Sequence, residues 1–165
     1  APCILAPNHQ SYMDALILAS SLQSSIMKKT YFFAKEKHFH SALRRLVARN
    51  SNVIVMNLNS GLKTAIQETA SVLKRGKNMV IFPEGARSRD GRLQPFKKTF
   101  AILSKELDVP VIPVAIKGAY ESLSIGSWFP RPGKITLEFL APLYPGGHDY
   151  DSLLQQTQST IRQSL

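Results

Sequence analysis

"GLKTAIQETASVLKRGKNMVIF", residues 61–82, decides the fold. Leu62, Ala65, Ile66, Thr69, Ala70 and Leu73 recur at three- and four-residue spacing, the signature of one apolar helix face between about Gly61 and Arg75. Ser60 can cap its start, while Lys74, Arg75 and Gly76 supply the cations and the glycine that suit its end. "NMVIF" (78–82) follows at once as a continuous apolar run, as expected of a strand covered on both faces. A helix feeding such a strand is the repeating unit of a parallel α/β sheet.

Outward from that unit the alternation continues. "CILA" (3–6) reads as a short buried strand, "YMDALILASSL" (12–22) as a helix capped by Ser11 or Asn8, and "TYFFAK" (30–35) as a strand. "HSALRRLVAR" (40–49) carries Leu43, Leu46 and Val47 at helical spacing, and "NVIVM" (52–56) is a strand again. Further on, "KTFAILSKEL" (98–107) is helical and "VPVIPVAI" (109–116) is apolar but interrupted by two prolines. "KITLEFL" (134–140) alternates as an outer strand should, and "DYDSLLQQTQSTIRQSL" (149–165) is a helix with Asp149 or Asp151 near its cap. This order predicts an α/β fold, a largely parallel sheet flanked by helices on both faces, as a single domain over 1–165.

The totals suit such a domain. Hydrophobic residues make up 44% and charged residues 19%, which excludes a disordered chain. One cysteine, Cys3, excludes an internal disulfide and a zinc cluster of the cysteine type, and fits a reducing compartment. Twenty-one Lys and Arg against 11 Asp and Glu give a net charge of +10, which favours anionic partners: phosphorylated substrates, an acidic membrane face or nucleic acid. No apolar run approaches the ~20 residues of a membrane-spanning helix. The chain opens in mid-pattern with "APCILAPNHQ" and no methionine. It is expected to be an excerpt of a longer protein whose upstream part supplies membrane contact.

Two polar clusters fall where strands lead into helices, the place where ligands gather in such sheets. In "PNHQSYMDA" (7–15), five helical steps would leave His9 and Asp14 about 140° apart, too far round to meet. They can hydrogen-bond if His9 lies in the turn before the helix and Asp14 one turn inside it. The carboxylate would then fix the tautomer and leave the other ring nitrogen free to take a proton. Taken alone, the string better suits a surface histidine beside a helix start, with Asp14 serving the helix dipole. In "FPEGARSRDG" (82–91), Gly85 lets backbone approach a ligand closely, and Arg87 and Arg89 can grip phosphate oxygens; a charged loop with Glu84 paired to an arginine is the plainer reading. G-x-x-x-x-G-K-[ST], G-x-S-x-G and G-x-G-x-x-G patterns are all absent, so no phosphate loop of that type, nucleophilic serine elbow or dinucleotide turn is present.

Taken together, the two strings resemble the glycerolipid acyltransferase (PlsC-like) family typified by 1-acylglycerol-3-phosphate acyltransferase. The family's H-x-x-x-x-D motif is matched by His9 and Asp14. Its F-P-E-G-[TX]-R-S motif is matched by Phe82, Pro83, Glu84, Gly85, Arg87 and Ser88, with Ala86 at the usual threonine. Its V-P-V-I-P-V-x-I motif is matched by 109–116, and "AKEK" (34–37) looks like its basic segment. The resemblance implies transfer of an acyl chain from acyl-CoA or an acyl carrier protein to a lysolipid hydroxyl, without a cofactor or metal. His9 would be the general base and Asp14 its orienting partner. Glu84 and Gly85 would shape the acceptor site, and Arg87 with Lys35 would bind an acceptor phosphate. Oxyanion donors would be backbone N–H groups near "VPVIP". It also implies an enzyme of phospholipid biosynthesis on the cytoplasmic face of an anionic membrane. One departure bears on the acceptor: "SNVIVMNLNSG" has Asn57 or Leu58 near an arginine of the family; a second, smaller one is Thr99, where glycine is common.

Other features weigh less. His38 and His40 in "KHFH" lack a third ligand and read as a basic loop. His148 and Asp149 suit capping. Trp128 and Phe129 beside Arg131 suit either a membrane interface or a locally packed loop. A catalytically inactive lipid- or membrane-binding domain of the same fold is the alternative, though it leaves His9, Asp14, Glu84 and Arg87 without a shared task. A nucleic-acid-binding domain would explain the charge, but the chain lacks stacking aromatic motifs and a base-reading helix.

Overall fold

The computed structural model describes residues 1–35, 53–56, 61–124, 126, 129 and 131–165. The helix expected over 40–49, the Ser60 cap, His38, His40, Asn57, Leu58 and Trp128 lie outside them. In chain order the elements are β1 (Ile4–Pro7), α1 (Asp14–Ser21), α2 (Ser24–Met27), β2 (Thr30–Lys35), β3 (Val53–Met56), α3 (Gly61–Lys74) and β4 (Asn78–Val80). Then come α4 (Thr99–Leu107), β5 (Val111–Lys117), α5 (Ala119–Ser122), β6 (Thr136–Phe139) and α6 (Tyr150–Ser164).

Six strands form one sheet in the order β3-β2-β4-β1-β5-β6. All neighbours are parallel except β6, which runs antiparallel to β5 and closes that edge. The expectation of a largely parallel sheet with an outer strand at 134–140 therefore holds. Side chains alternate faces along each strand. Ile4, Ala6, Met79 and Val111 point into a core with Val72 and Leu73 of α3, Phe100 and Leu103 of α4, and Leu153 and Ile161 of α6. Leu5, Val80, Val114 and Ile116 point the other way, onto Leu18 of α1 and Ala119 of α5. Each fully buried large side chain contributes roughly 1.5–3 kcal/mol of transfer free energy. The two clusters together hold the sheet between helices on both faces.

Pro113 lies within β5 rather than breaking it. Its carbonyl accepts from Leu140 N–H at 2.9 Å, on the β6 side, so its missing N–H falls on that side too, just beyond the end of β6. Gly118, at the end of β5, has φ 77°, and a Cβ there would lie 2.2 Å from the Lys134 carbonyl oxygen. Only glycine lets these backbones touch.

The start of α1 differs from the sequence reading. The helix begins at Asp14, after Met13, and no side chain caps it. Asn8 serves the sheet instead: its Nδ2 donates to Ile116 O at 2.9 Å and its Oδ1 accepts from Ile116 N at 2.7 Å. The amide copies a peptide group and carries the β1–β5 ladder past the end of β1. Ser11 donates from Oγ to Leu123 O at 2.7 Å and accepts from Met13 N at 3.2 Å.

Candidate active site

The central strands β1 and β4 are neighbours, and both deliver their polar loops to the same carboxyl edge of the sheet. His9 follows β1, and Glu84 follows β4. The loops are tied together through the backbone of His9. Its N–H donates to Glu84 Oε1 at 2.6 Å, and its carbonyl accepts from Ser88 N at 2.8 Å. Glu84 Oε2 accepts from Gln94 N at 2.8 Å, so one carboxylate spans the His9 turn and the far side of its own loop.

Because α1 starts at Asp14, residues 9–13 form a turn that brings the two ends together; Asp14 is the first helical residue, not one turn inside. His9 Nδ1 lies 2.8 Å from Asp14 Oδ2. That oxygen also accepts from Gln10 N at 2.6 Å and Ser11 N at 2.7 Å. Asp14 is fully buried, whereas the His9 side chain is 21% exposed. With Nδ1 donating to the carboxylate, Nε2 keeps its lone pair, and it has no hydrogen-bond partner among the described residues. Phe82 packs against the imidazole with ring centroids 4.1 Å apart, which fixes the ring plane. Asp14 Oδ1 is buried without a partner among the described residues.

Burial pushes the Glu84 carboxyl up to about 7, against the backbone N–H bonds from Gln94 and His9, which favour its ionised form. Gly85 has φ 71°, and a Cβ there would sit 2.8 Å from Lys97 Nζ, so the lysine ammonium lies against the bare glycine backbone. The Arg87 guanidinium carbon sits 3.3 Å from the centroid of the Tyr12 ring, and its buried Nη1 has no hydrogen-bond partner among the described residues. Tyr12 itself is 55% exposed. Lys35 is the last residue of β2, at the same carboxyl edge; its side chain lies outside the described part. Cys3 is at the opposite end of β1, with its thiol pushed up by burial, away from any nucleophilic role here.

The structure thus brings together His9, Asp14 and Glu84, with Gly85 and Arg87 on the adjoining loop. Sequence reasoning missed Tyr12, Phe82 as a ring partner, and Gln94. Tyr12 and Phe82 stood inside the two motifs; Gln94 carried no signal, because it meets Glu84 only through its backbone N–H. Donors near "VPVIP" are partly taken: Val111 N–H goes to Leu143 O and Ile116 N–H to Asn8. Among the described residues no three His, Cys, Asp or Glu side chains gather as metal ligands.

Comparison with known proteins adds an independent line. The family model described as Acyltransferase matches residues 1–117. The chain is 28% identical over 173 residues to a chloroplastic 1-acyl-sn-glycerol-3-phosphate acyltransferase, BAT2, of Brassica napus, covering 99% of this chain and 46% of that protein. It is 38% identical over 145 residues to a 1-acyl-sn-glycerol-3-phosphate acyltransferase of Limnanthes douglasii, covering 85% and 50%. Among solved structures, the 1-acyl-sn-glycerophosphate (LPA) acyltransferase PlsC from Thermotoga maritima superposes with a TM-score of 0.85 at 29% identity, over 99% of this chain and 64% of that one. The chain spans about half the length of these two plant relatives.

Proposed function

The chain belongs to the acyltransferase family, and from that premise we propose that it moves a fatty acyl group from an acyl thioester to the free hydroxyl of a lysophospholipid. The donor is acyl-CoA or an acyl carrier protein, and the acceptor is of the 1-acylglycerol-3-phosphate type named for its relatives. The observation that carries this reading is the His9–Asp14 pair, with its open Nε2 on the same edge as Arg87.

In this mechanism Nε2 takes the hydroxyl proton while the acceptor oxygen attacks the thioester carbonyl carbon. Asp14, already bound to Nδ1–H, stabilises the imidazolium that forms. The tetrahedral intermediate collapses by breaking the C–S bond, and the departing thiolate takes the proton back from Nε2. An ester and a free thiol result, and His9 returns to its starting state. Glu84 acts as a positioning residue, since it holds the His9 backbone rather than touching the reacting atoms. The Arg87 guanidinium, stacked on the exposed Tyr12 ring, supplies a cation for the acceptor phosphate, and Lys35, at the same edge, adds a second.

No described helix is long and apolar enough to cross a membrane. Tyr12 and Leu16 are nevertheless large exposed side chains in the His9 turn and the first turn of α1, and Ile26 of α2 is exposed as well. With a net charge of +10 they suit a place on an anionic membrane surface, and the free Cys3 suits the cytoplasmic side.

The deciding experiment offers lysophospholipids and glycerol 3-phosphate to the protein with acyl-CoA and acyl carrier protein donors, and reads products by mass spectrometry. A new diacyl product in the wild type that disappears in His9→Ala is expected. Unchanged turnover in His9→Ala, or no acylated acceptor with any donor, would leave the inactive lipid-binding domain as the better reading.

A further inference from the structure

His9 and Gln10 send their side chains to different places. The imidazole turns to Asp14 and Phe82, whereas Gln10 Nε2 donates to Gly91 O at 2.7 Å and lines a separate cavity of about 390 Å³. It is an open hollow at the surface rather than an enclosed pocket. Arg92, Lys117 and Arg162 also line it, with Glu121 as the one acid. Among the described residues the salt bridges are His9–Asp14 and Lys98–Asp151; Lys117 and Arg162 enter neither, and Arg92 feels the Asp90 carboxylate without a direct ion pair. Lys117 ends β5, the neighbour of β1, and the cavity therefore shares the carboxyl edge of the sheet with the imidazole.

We infer that this cavity seats the phosphate of the acyl donor's phosphopantetheine arm, which delivers its thioester past Gln10 to His9. The inference rests on the acyl-transfer reading and assigns its second substrate a place. That reaction joins two phosphate-bearing molecules at one imidazole, so two separate cationic seats are needed. Arg87, stacked on Tyr12, is absent from the cavity lining and serves the acceptor. Three cations from three separated stretches of chain, none in a direct salt bridge, converge on the Gln10 side and serve the donor. Coenzyme A and an acyl carrier protein share the phosphopantetheine group, and the test separates them.

Arg92 and Arg162 are exposed, so replacing both leaves the core intact. Binding of coenzyme A, and separately of holo acyl carrier protein, is measured by calorimetry on the wild type, on the Arg92→Ala/Arg162→Ala double variant and on Lys63→Ala, a charge control on the remote helix α3. A dissociation constant raised roughly tenfold or more for coenzyme A in the double variant, with Lys63→Ala unchanged, is expected for a coenzyme donor. The same loss for the carrier protein only identifies that donor instead. No binding of either probe to the wild type, or equal binding by wild type and double variant, overturns the assignment. Acyl transfer is followed in parallel. Transfer with an unchanged donor KM in the double variant sinks the cavity and leaves the reaction standing. Binding lost in the double variant, with no transfer by the wild type, leaves the cavity and sinks the reaction.

Discussion

Oδ2 of Asp14 receives three donors at once, from Nδ1 of His9 and from the backbone of Gln10 and Ser11. Asp14→Asn keeps an oxygen for those donors but removes the charge that steadies an imidazolium. Turnover should fall about 10²–10⁴-fold while the acceptor KM moves little, checked by steady-state kinetics. Glu84 sets a pH dependence. Its carboxyl holds a proton until about pH 7 in the folded protein, against an ordinary 4.5. The folded state therefore binds that proton more tightly than the unfolded chain, and stability from this group is present at low pH and falls as pH rises from about 4.5 to 7. At ~1.4 kcal/mol per pH unit, this is an effect of roughly 3 kcal/mol. Urea unfolding of wild type should show that decline over the window, and Glu84→Gln, which cannot titrate, should not. At this scale the sequence was partly legible. The spacing of His9 and Asp14 allowed their contact, and the strings named Glu84 and Arg87. Their partners were invisible, because Gln94 and Ser88 contribute only backbone N–H groups to Glu84 and His9.

Elements were legible wherever periodicity was local. The helix read over 61–75 appears as Gly61–Lys74, and "TYFFAK" is β2 to the residue. "NMVIF" is shorter than its apolar run, with β4 ending at Val80, although Ile81 N–H still donates to Leu5 O at 2.9 Å. Capping of α1 was misread because Asn8 meets a partner 108 positions away, a choice no local string records. The short helices α2 and α5 carry too few residues to show a period. Asn8 gives the test at this scale. Asn8→Ala leaves the buried N–H and C=O of Ile116 without their partners, and each orphan costs about 1–3 kcal/mol. A stability loss of roughly 2–4 kcal/mol in urea titration is expected, the penalty of unzipping one peptide's width between β1 and β5.

For the molecule as a whole, the excess of 21 basic over 11 acidic residues acts as a field rather than through single contacts. The protein should bind vesicles containing phosphatidylserine and ignore neutral ones, and sedimentation should show that binding weakening as salt is raised past ~0.1 M, where the Debye length is about 10 Å. Equal binding to both vesicle types would remove the electrostatic basis for surface attachment. The sheet itself ends in β6, whose outward backbone has no further strand beside it among the described residues. Phe139 is 43% exposed on that margin, but Glu138 stands next to it, tethered by a hydrogen bond from Ser164 Oγ at 2.8 Å. One carboxylate set into an otherwise β-prone border makes a second copy's strand an unwelcome neighbour. The same residue that meets the end of α6 thereby disfavours edge-to-edge pairing between copies.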